Sequence, residues 1–71
     1  MVKIKTTKQD VETNPSQQVV TILLECDTRP GSSDELDEAY ATLASLVPQH
    51  YMIDCGYKSS TRAAITYYAD K

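Results

Sequence analysis

The chain has 71 residues, a formal net charge of −3, two cysteines, one histidine and no tryptophan or phenylalanine. A chain of this length forms one small domain, so we predict a single domain over residues 1–71. Two cysteines exclude a framework of several disulfides, a single histidine argues against a structural metal centre, and the sequence lacks the run of about 20 apolar residues that a membrane span requires.

The first two predicted elements are strands that form a hairpin. In residues 2–8, Val2, Ile4 and Thr6 occupy alternate positions, and lysine or threonine occupies the positions between them. This period-2 pattern predicts a half-buried strand. The Asn-Pro-Ser sequence at residues 14–16 predicts a turn. Residues 18–27 are rich in β-branched side chains and apolar on both faces in the middle, which favours a central strand. We therefore predict a hairpin with a long, loose connection.

The third element is a helix over residues 32–47. Ser32 and Glu35 have the spacing of a capping box, and Pro48 ends the segment because it disfavours helical geometry at the residue before it. The predicted core-facing side chains share one helical face. They are Leu36, Ala39, Tyr40, Leu43, Leu46 and Val47.

A second hairpin follows the helix. Residues 50–57 and 62–69 both alternate between apolar and polar side chains, and Ser59-Ser60 separates them. The predicted fold is α+β, with the element order ββαββ and one helix packed on one face of a four-stranded, mostly antiparallel sheet.

The helix should cover one face of this sheet and leave the other open. We predict the following residues on the covered face: Val2, Ile4, Val20, Ile22, Leu24, Ile53 and Ile65. We predict these residues on the open face: Lys3, Lys5, Val19, Leu23, Met52, Lys58, Arg62 and Tyr68. An open face with an apolar centre and a basic fringe is typical of an interface, so we expect it to bind a partner or a second copy of the chain.

Charge is segregated along the chain. Between Gln9 and Tyr57 there are nine carboxylates and only one base, Arg29, whereas the two ends hold the other six bases and one acid. The densest cluster is in the predicted first turns of the helix and consists of Asp34, Glu35, Asp37 and Glu38. Carboxylates there complement the helix dipole, but four exceed what capping needs. They could also imitate phosphates and bind a basic surface, such as the nucleic-acid groove of another protein.

The basic ends allow an alternative, direct binding of single-stranded nucleic acid. Lys3, Lys5, Lys58 and Arg62 would hold phosphates, while Tyr57 and Tyr68 would stack on bases. A sequence pI of about 4.8 argues against this, because nucleic-acid modules are usually basic. Lysines on a terminal strand also protect a sheet edge from adding further strands.

No set of residues predicts catalysis. Cys26 and Cys55 are expected to be buried free thiols, although a disulfide could join them if their strands were neighbours. His50 is expected at a strand entrance, pointing away from Cys55, and no base or carboxylate pair accompanies it. We therefore expect no enzymatic activity, no cofactor and no metal. We also expect a cytosolic protein with reduced thiols.

A small, acidic, single-domain α+β chain without a catalytic set resembles the accessory and inhibitor proteins of phages and mobile elements. That resemblance is one of general type and implies a protein that binds and regulates a larger one. The predicted function is a non-enzymatic inhibitor or regulator that acts through the acidic helix face or the open sheet face. A homodimer is also expected, because the domain is small and closed two-fold dimers are the commonest oligomers. The remaining alternative is a structural homo-oligomer subunit.

Overall fold

The computed structural model describes residues 2–71 and confirms the ββαββ order. The four strands are antiparallel and lie in the order β1-β2-β4-β3. The elements are β1 (Val2–Val11), β2 (Asn14–Cys26), α1 (Ser32–Leu46), a short 3-10 helix (Gln49–Tyr51), β3 (Met52–Ser59) and β4 (Arg62–Asp70).

The connection between β1 and β2 is tight rather than long and loose. Val11 pairs with Asn14, so only two residues form the turn. The register shifts between Asp10 and Val11, which leaves Pro15 in an irregular stretch of β2 instead of a regular ladder. Proline lacks a backbone N–H and is tolerated at such bulges. The Asn-Pro-Ser sequence therefore interrupts a strand and does not form the hairpin turn.

The core lies between α1 and the two central strands. Alternate residues of β2 and β4 pack under Leu36 of the helix, as the sequence predicted for Val20, Ile22, Leu24 and Ile65. The side chains of Leu24, Leu36 and Ile65 are fully buried. The buried hydrophobic set comprises Val20, Ile22, Leu24, Cys26, Leu36, Ala63, Ala64 and Ile65.

The helix covers the edge strands less well than the centre. Val2 packs against the core, but Ile4 remains 55% exposed although it lies opposite the buried Leu24 and so shares the covered face. The prediction that Ile4 is buried was therefore wrong. Periodicity assigned its face correctly, but one helix is too narrow to reach across four strands.

A register irregularity in β3 reverses the predicted placement of two residues. Met52 pairs with Tyr67 and Asp54 pairs with Thr66, so Ile53 has no opposite residue. Met52 consequently packs against the core and does not lie on the open face, while Ile53 is 45% exposed and not buried. An extra residue in one strand shifts the alternation of faces, which explains both errors.

The two edges of the sheet also differ in regularity. β3 carries a second irregularity between Tyr57 and Ser59, whereas β1 pairs with β2 in continuous register from Val2 to Asp10. One edge is thus distorted and the other is straight along most of its length.

The helix begins differently from the predicted capping box. Gly31 is the N-cap with φ +86°, a left-handed conformation that glycine adopts without strain, and no side chain caps the helix there. Ser32 lies inside the helix, and its hydroxyl donates a hydrogen bond to the carboxylate of Asp27. The predicted core stripe holds for Leu36, Tyr40 and Leu43, but Leu46 is 72% exposed.

Asp27 organises the connection between β2 and α1. Its carboxylate accepts hydrogen bonds from the Ser32 hydroxyl, from the backbone N–H of Arg29 at 3.2 Å and from the Arg29 Nε–H at 2.8 Å. The Ser32 hydrogen bond is the largest cause that lowers the pKa of Asp27 from its ordinary 3.8 to about 2, and the contacts with Arg29 add to it.

This lowered pKa predicts a specific pH dependence. Because the folded pKa lies below the unfolded one, ionised Asp27 stabilises the fold above pH 3.8, and this contribution is lost as the pH falls towards 2. We expect Asp27→Asn to be less stable than the wild-type protein at neutral pH and to approach it near pH 2. Urea unfolding of both proteins across this range measures the difference. A stability gap that stays constant with pH would contradict the role of the charge.

The two cysteines are free, and their environments differ. Cys26 is buried as predicted, but Cys55 is exposed because it lies on the edge strand β3. β4 separates β2 from β3, so the two thiols are not on neighbouring strands and the conditional disulfide does not form.

Candidate protein-binding surfaces

All four lysines and arginines outside β1 form ion pairs with carboxylates. Within residues 2–71 the structure shows Arg29–Asp27 at 2.7 Å, Lys58–Asp54 at 3.6 Å, Arg62–Glu25 at 3.8 Å and Lys71–Asp10 at 3.1 Å. Lys3, Lys5 and Lys8, all on β1, belong to none of these pairs. Exposed pairs like these contribute little to stability, but they decide where net charge remains on the surface.

The acidic cluster lies on the first two turns of α1 and is exposed. Asp34, Glu35, Asp37 and Glu38 all project from the helix surface, and the four ion pairs above do not include Asp34 or Glu38. Their position near the helix N-terminus is electrostatically favourable. The structure therefore gathers the predicted acidic residues into one negative surface, which we call the acidic helix face.

Asp37 also joins the helix to β3. The Tyr57 hydroxyl donates a hydrogen bond to Asp37 Oδ1, which raises the pKa of Tyr57. The Tyr57 ring lies beside the Tyr40 ring, with centroids 4.9 Å apart. A hydrogen bond with the Cys55 side chain, followed by burial, raises the pKa of Tyr40 to about 12. Asp37 thus helps to hold the acidic helix face in place, a role that the sequence did not reveal.

The open sheet face is less apolar than predicted. Leu23 and Tyr68 are exposed, Val19 is half-buried, and Ala64, which lies opposite Leu23, is buried. A row of threonines separates the Leu23 side of this face from the Tyr68 side. The row consists of Thr7, Thr21 and Thr66, which lie opposite one another in the register. Only the strand register could have revealed this row, because the three residues are far apart in sequence.

The basic fringe of the open face also contains acids. Lys3 and Arg62 both lie opposite Glu25, and the Arg62 guanidinium pairs with its carboxylate. Lys58 pairs with Asp54 in the same way. Two of the four bases predicted to hold a nucleic acid are therefore already engaged by carboxylates.

A trough between α1 and β1 was not predicted. Ile4 of β1 and Ala39, Thr42 and Leu43 of α1 line a groove of about 390 Å³, and Glu35 and Glu38 of the acidic helix face also line it. The number of predicted elements could have indicated it, because one helix is narrower than a four-stranded sheet and leaves part of an edge strand uncovered.

The described residues show no side-chain cluster typical of a metal centre. No group of three His, Cys, Asp or Glu side chains between residues 2 and 71 converges as metal ligands. The exposed His50 ring packs beside Tyr51, with centroids 4.2 Å apart. Over the same part of the chain, no helix has the length and apolar character needed to cross a membrane.

No protein family, curated protein or solved structure matches this chain. The fold, the surface charge and the exposed apolar groups are thus the basis on which a function can be proposed.

Proposed function

We propose that this chain is a non-enzymatic protein-binding module of the cytosol that inhibits or regulates a larger protein. The acidic helix face docks on a basic surface of the partner, such as a groove that otherwise binds nucleic acid. The carboxylates occupy the positions of phosphates, so partner and nucleic acid compete. This mode of action suits the small accessory and inhibitor proteins that the chain resembles in type.

One observation carries the proposal: the carboxylates of the acidic helix face are exposed together on one rigid element. Asp34 and Glu38 project into solvent from a helix whose other side packs on the core through Leu36. The helix is therefore a support that presents the charges in a fixed arrangement. A preorganised charge array steers a partner of opposite charge and raises its association rate.

Salt should weaken such a complex. Exposed charges are screened over a Debye length of about 8 Å at physiological ionic strength and about 3 Å at 1 M salt. A complex that survives high salt with unchanged affinity would contradict docking through the acidic helix face.

Amide substitutions test this face directly. The variant Asp34→Asn/Glu38→Gln is expected to bind the captured partner at least about tenfold more weakly, a loss of roughly 1.4 kcal/mol of binding energy. The partner is first identified by affinity capture from an extract of the source cells, and its affinity is then measured by titration. Adding Glu35→Gln and Asp37→Asn to this variant should abolish binding. The Asp37→Asn side chain keeps an amide oxygen, which can still accept the hydrogen bond from the Tyr57 hydroxyl.

The matched control removes the same number of charges elsewhere. Glu12→Gln/Asp70→Asn changes two exposed carboxylates, one in the first hairpin turn and one at the end of β4. The control should bind like the wild-type protein. If both double variants lose affinity equally, net charge and not the acidic helix face determines binding.

A second candidate function is self-association through the open sheet face. Leu23 is 43% exposed and Tyr68 is 40% exposed on this face, and such groups are often covered in an oligomer. We propose that two copies pack these faces together as a homodimer or structural assembly. Sedimentation at increasing concentration should show a dimer, and Leu23→Lys should shift it to monomer. A protein that stays monomeric at all concentrations up to about 1 mM would exclude this candidate. A dissociation constant of about 1 mM corresponds to only about −4.1 kcal/mol of binding free energy.

Direct binding of single-stranded nucleic acid is the remaining alternative. Lys3 and Lys5 are available to phosphates, but Lys58 and Arg62 are held by Asp54 and Glu25. A titration with single-stranded oligonucleotides at low salt tests this alternative. Nonspecific binding commonly has a dissociation constant of about 10⁻⁴–10⁻⁶ M, so a protein that shows no binding in this range would exclude it.

A further inference from the structure

α1 leaves the outer part of β1 uncovered on the covered side of the sheet. Four strands spaced by about 4.8 Å span about 15 Å, whereas a helix with its side chains is about 10 Å wide. α1 lies over the central strands, and the exposed residues on the same side of β1 are Ile4, Thr6 and Lys8. The outer part of β1 therefore stays uncovered, and a second helix could rest there against β1 and the flank of α1.

The floor and inner wall of this strip are apolar. Ile4 forms the floor, and Ala39 and Leu43 of α1 form the wall of the 390 Å³ trough. Leu43 also lines a second groove, of about 300 Å³, which lies between the C-terminal end of α1 and β4 and includes Leu46 and Tyr67. Ala39, Leu43 and Leu46 recur at helical spacing, so apolar side chains follow α1 from the trough to this groove at its C-terminal end. Ile4 and Leu46 are the most exposed large hydrophobic side chains within residues 2–71.

The charges along the trough identify the chemistry of an occupant. Glu38 and Glu35 line the α1 side, so a segment lying there meets carboxylates along one flank. A basic side chain on that flank would be attracted, whereas an acidic one would be repelled. The apolar floor requires leucine-like side chains at helical spacing on the buried flank.

We propose that the trough between α1 and β1 receives a basic amphipathic helix of the partner protein. The inference rests on the proposed function, because it names the partner segment that meets the acidic helix face. The partner helix lies beside α1 over the β1 edge of the sheet. Its apolar residues cover Ile4 and Leu43, while its lysines or arginines face Glu38.

A designed peptide tests this fit without knowledge of the partner. The probe is a blocked peptide of two heptads with leucine at positions a, d and e and lysine elsewhere, which is helical only when its apolar face is covered. We expect it to gain helical circular dichroism on mixing with the protein. Amide NMR shifts should change at Ile4, Ala39 and Leu43 and stay constant at Leu23 and Thr66 on the open face.

Two control peptides separate shape from charge. One has the same composition with leucines spread around the helix, and the other replaces each lysine by glutamate. Both should bind at least about tenfold more weakly than the probe. Equal binding of the spread-leucine peptide would overturn the proposal, because attraction to the acidic residues alone would then explain the interaction. The proposal would also be overturned if the probe peptide changed the amide NMR shifts only of residues on the open face.

A matched pair of variants locates the contact. Ile4→Ser removes an exposed aliphatic group from the trough, and Leu23→Ser removes one from the other side of the sheet. We expect Ile4→Ser to weaken probe binding at least about tenfold and Leu23→Ser to change it less than about twofold. Leu46→Ser serves as a second variant that cannot disturb the core, and it should also weaken binding. Unchanged affinity in both Ile4→Ser and Leu46→Ser would overturn the inference.

The same variants distinguish this inference from the proposed function. Asp34→Asn/Glu38→Gln could abolish binding of the natural partner while Ile4→Ser and Leu46→Ser leave it unchanged. The acidic helix face would then bind the partner without the trough. If none of these variants changes partner binding, the proposed function fails together with the inference.

Discussion

Replacing Leu36 by alanine is expected to lower the free energy of unfolding by about 2–5 kcal/mol. Leu36 is 1% exposed and is the helix residue that packs within the buried cluster of β2 and β4 side chains. Alanine would remove apolar burial and leave a cavity. A domain of this length is expected to have a total stability of about 4–10 kcal/mol, so Leu36→Ala would remove a large part of that stability.

Leu46 provides a control of the same type in the same helix. Its side chain is exposed, so Leu46→Ala should change stability by no more than about 0.5 kcal/mol. Urea unfolding followed by circular dichroism compares both variants with the wild-type protein. If Leu46→Ala cost as much as Leu36→Ala, the orientation of α1 on the sheet would be incorrect.

The second large effect is expected at Ile65. Its side chain is fully buried in the central strand β4, where it lies opposite Ile22 on one side and Cys55 on the other. Ile65→Ala should therefore cost about 2–5 kcal/mol. The same unfolding experiment measures it.

The matched control for Ile65 is Ile53, which also tests the irregularity in β3. Because the bulge turns Ile53 outwards, Ile53→Ala should cost less than about 1 kcal/mol, and Met52→Ala should cost more than Ile53→Ala. The reverse order would mean that β3 keeps a regular alternation and that the sequence-based placement was correct.

Local patterns in the sequence predicted most of the fold. The helix, the ββαββ order and the inward faces of β2 and β4 followed from regular alternation and helical spacing, which are properties of neighbouring residues. Ile53 and Met52 were misplaced because a single additional residue reverses the faces of a strand, and composition does not mark where it occurs. The capping role of Ser32 was misassigned because Asp27, five positions earlier, accepts its hydroxyl.

Binding surfaces depended more strongly on contacts that only the folded chain defines. Asp34 and Glu38 could be located from the sequence, since consecutive acidic residues at a helix start share an exposed face. The engagement of Arg62 by Glu25, the threonine row and the trough between α1 and β1 depend on strand order and register. Periodicity assigns a residue to a face but does not reveal whether another element covers that face.

The contrast between the straight β1 edge and the distorted β3 edge affects how copies of this protein behave when crowded. A straight edge can accept another strand, yet two β1 strands brought side by side would gather six lysines along one boundary, with directly opposite lysines about 4.8 Å apart. Mutual repulsion then disfavours growth of a continuous sheet from molecule to molecule. Neutralising Lys3, Lys5 and Lys8 would remove this barrier and make fibrous aggregation easier.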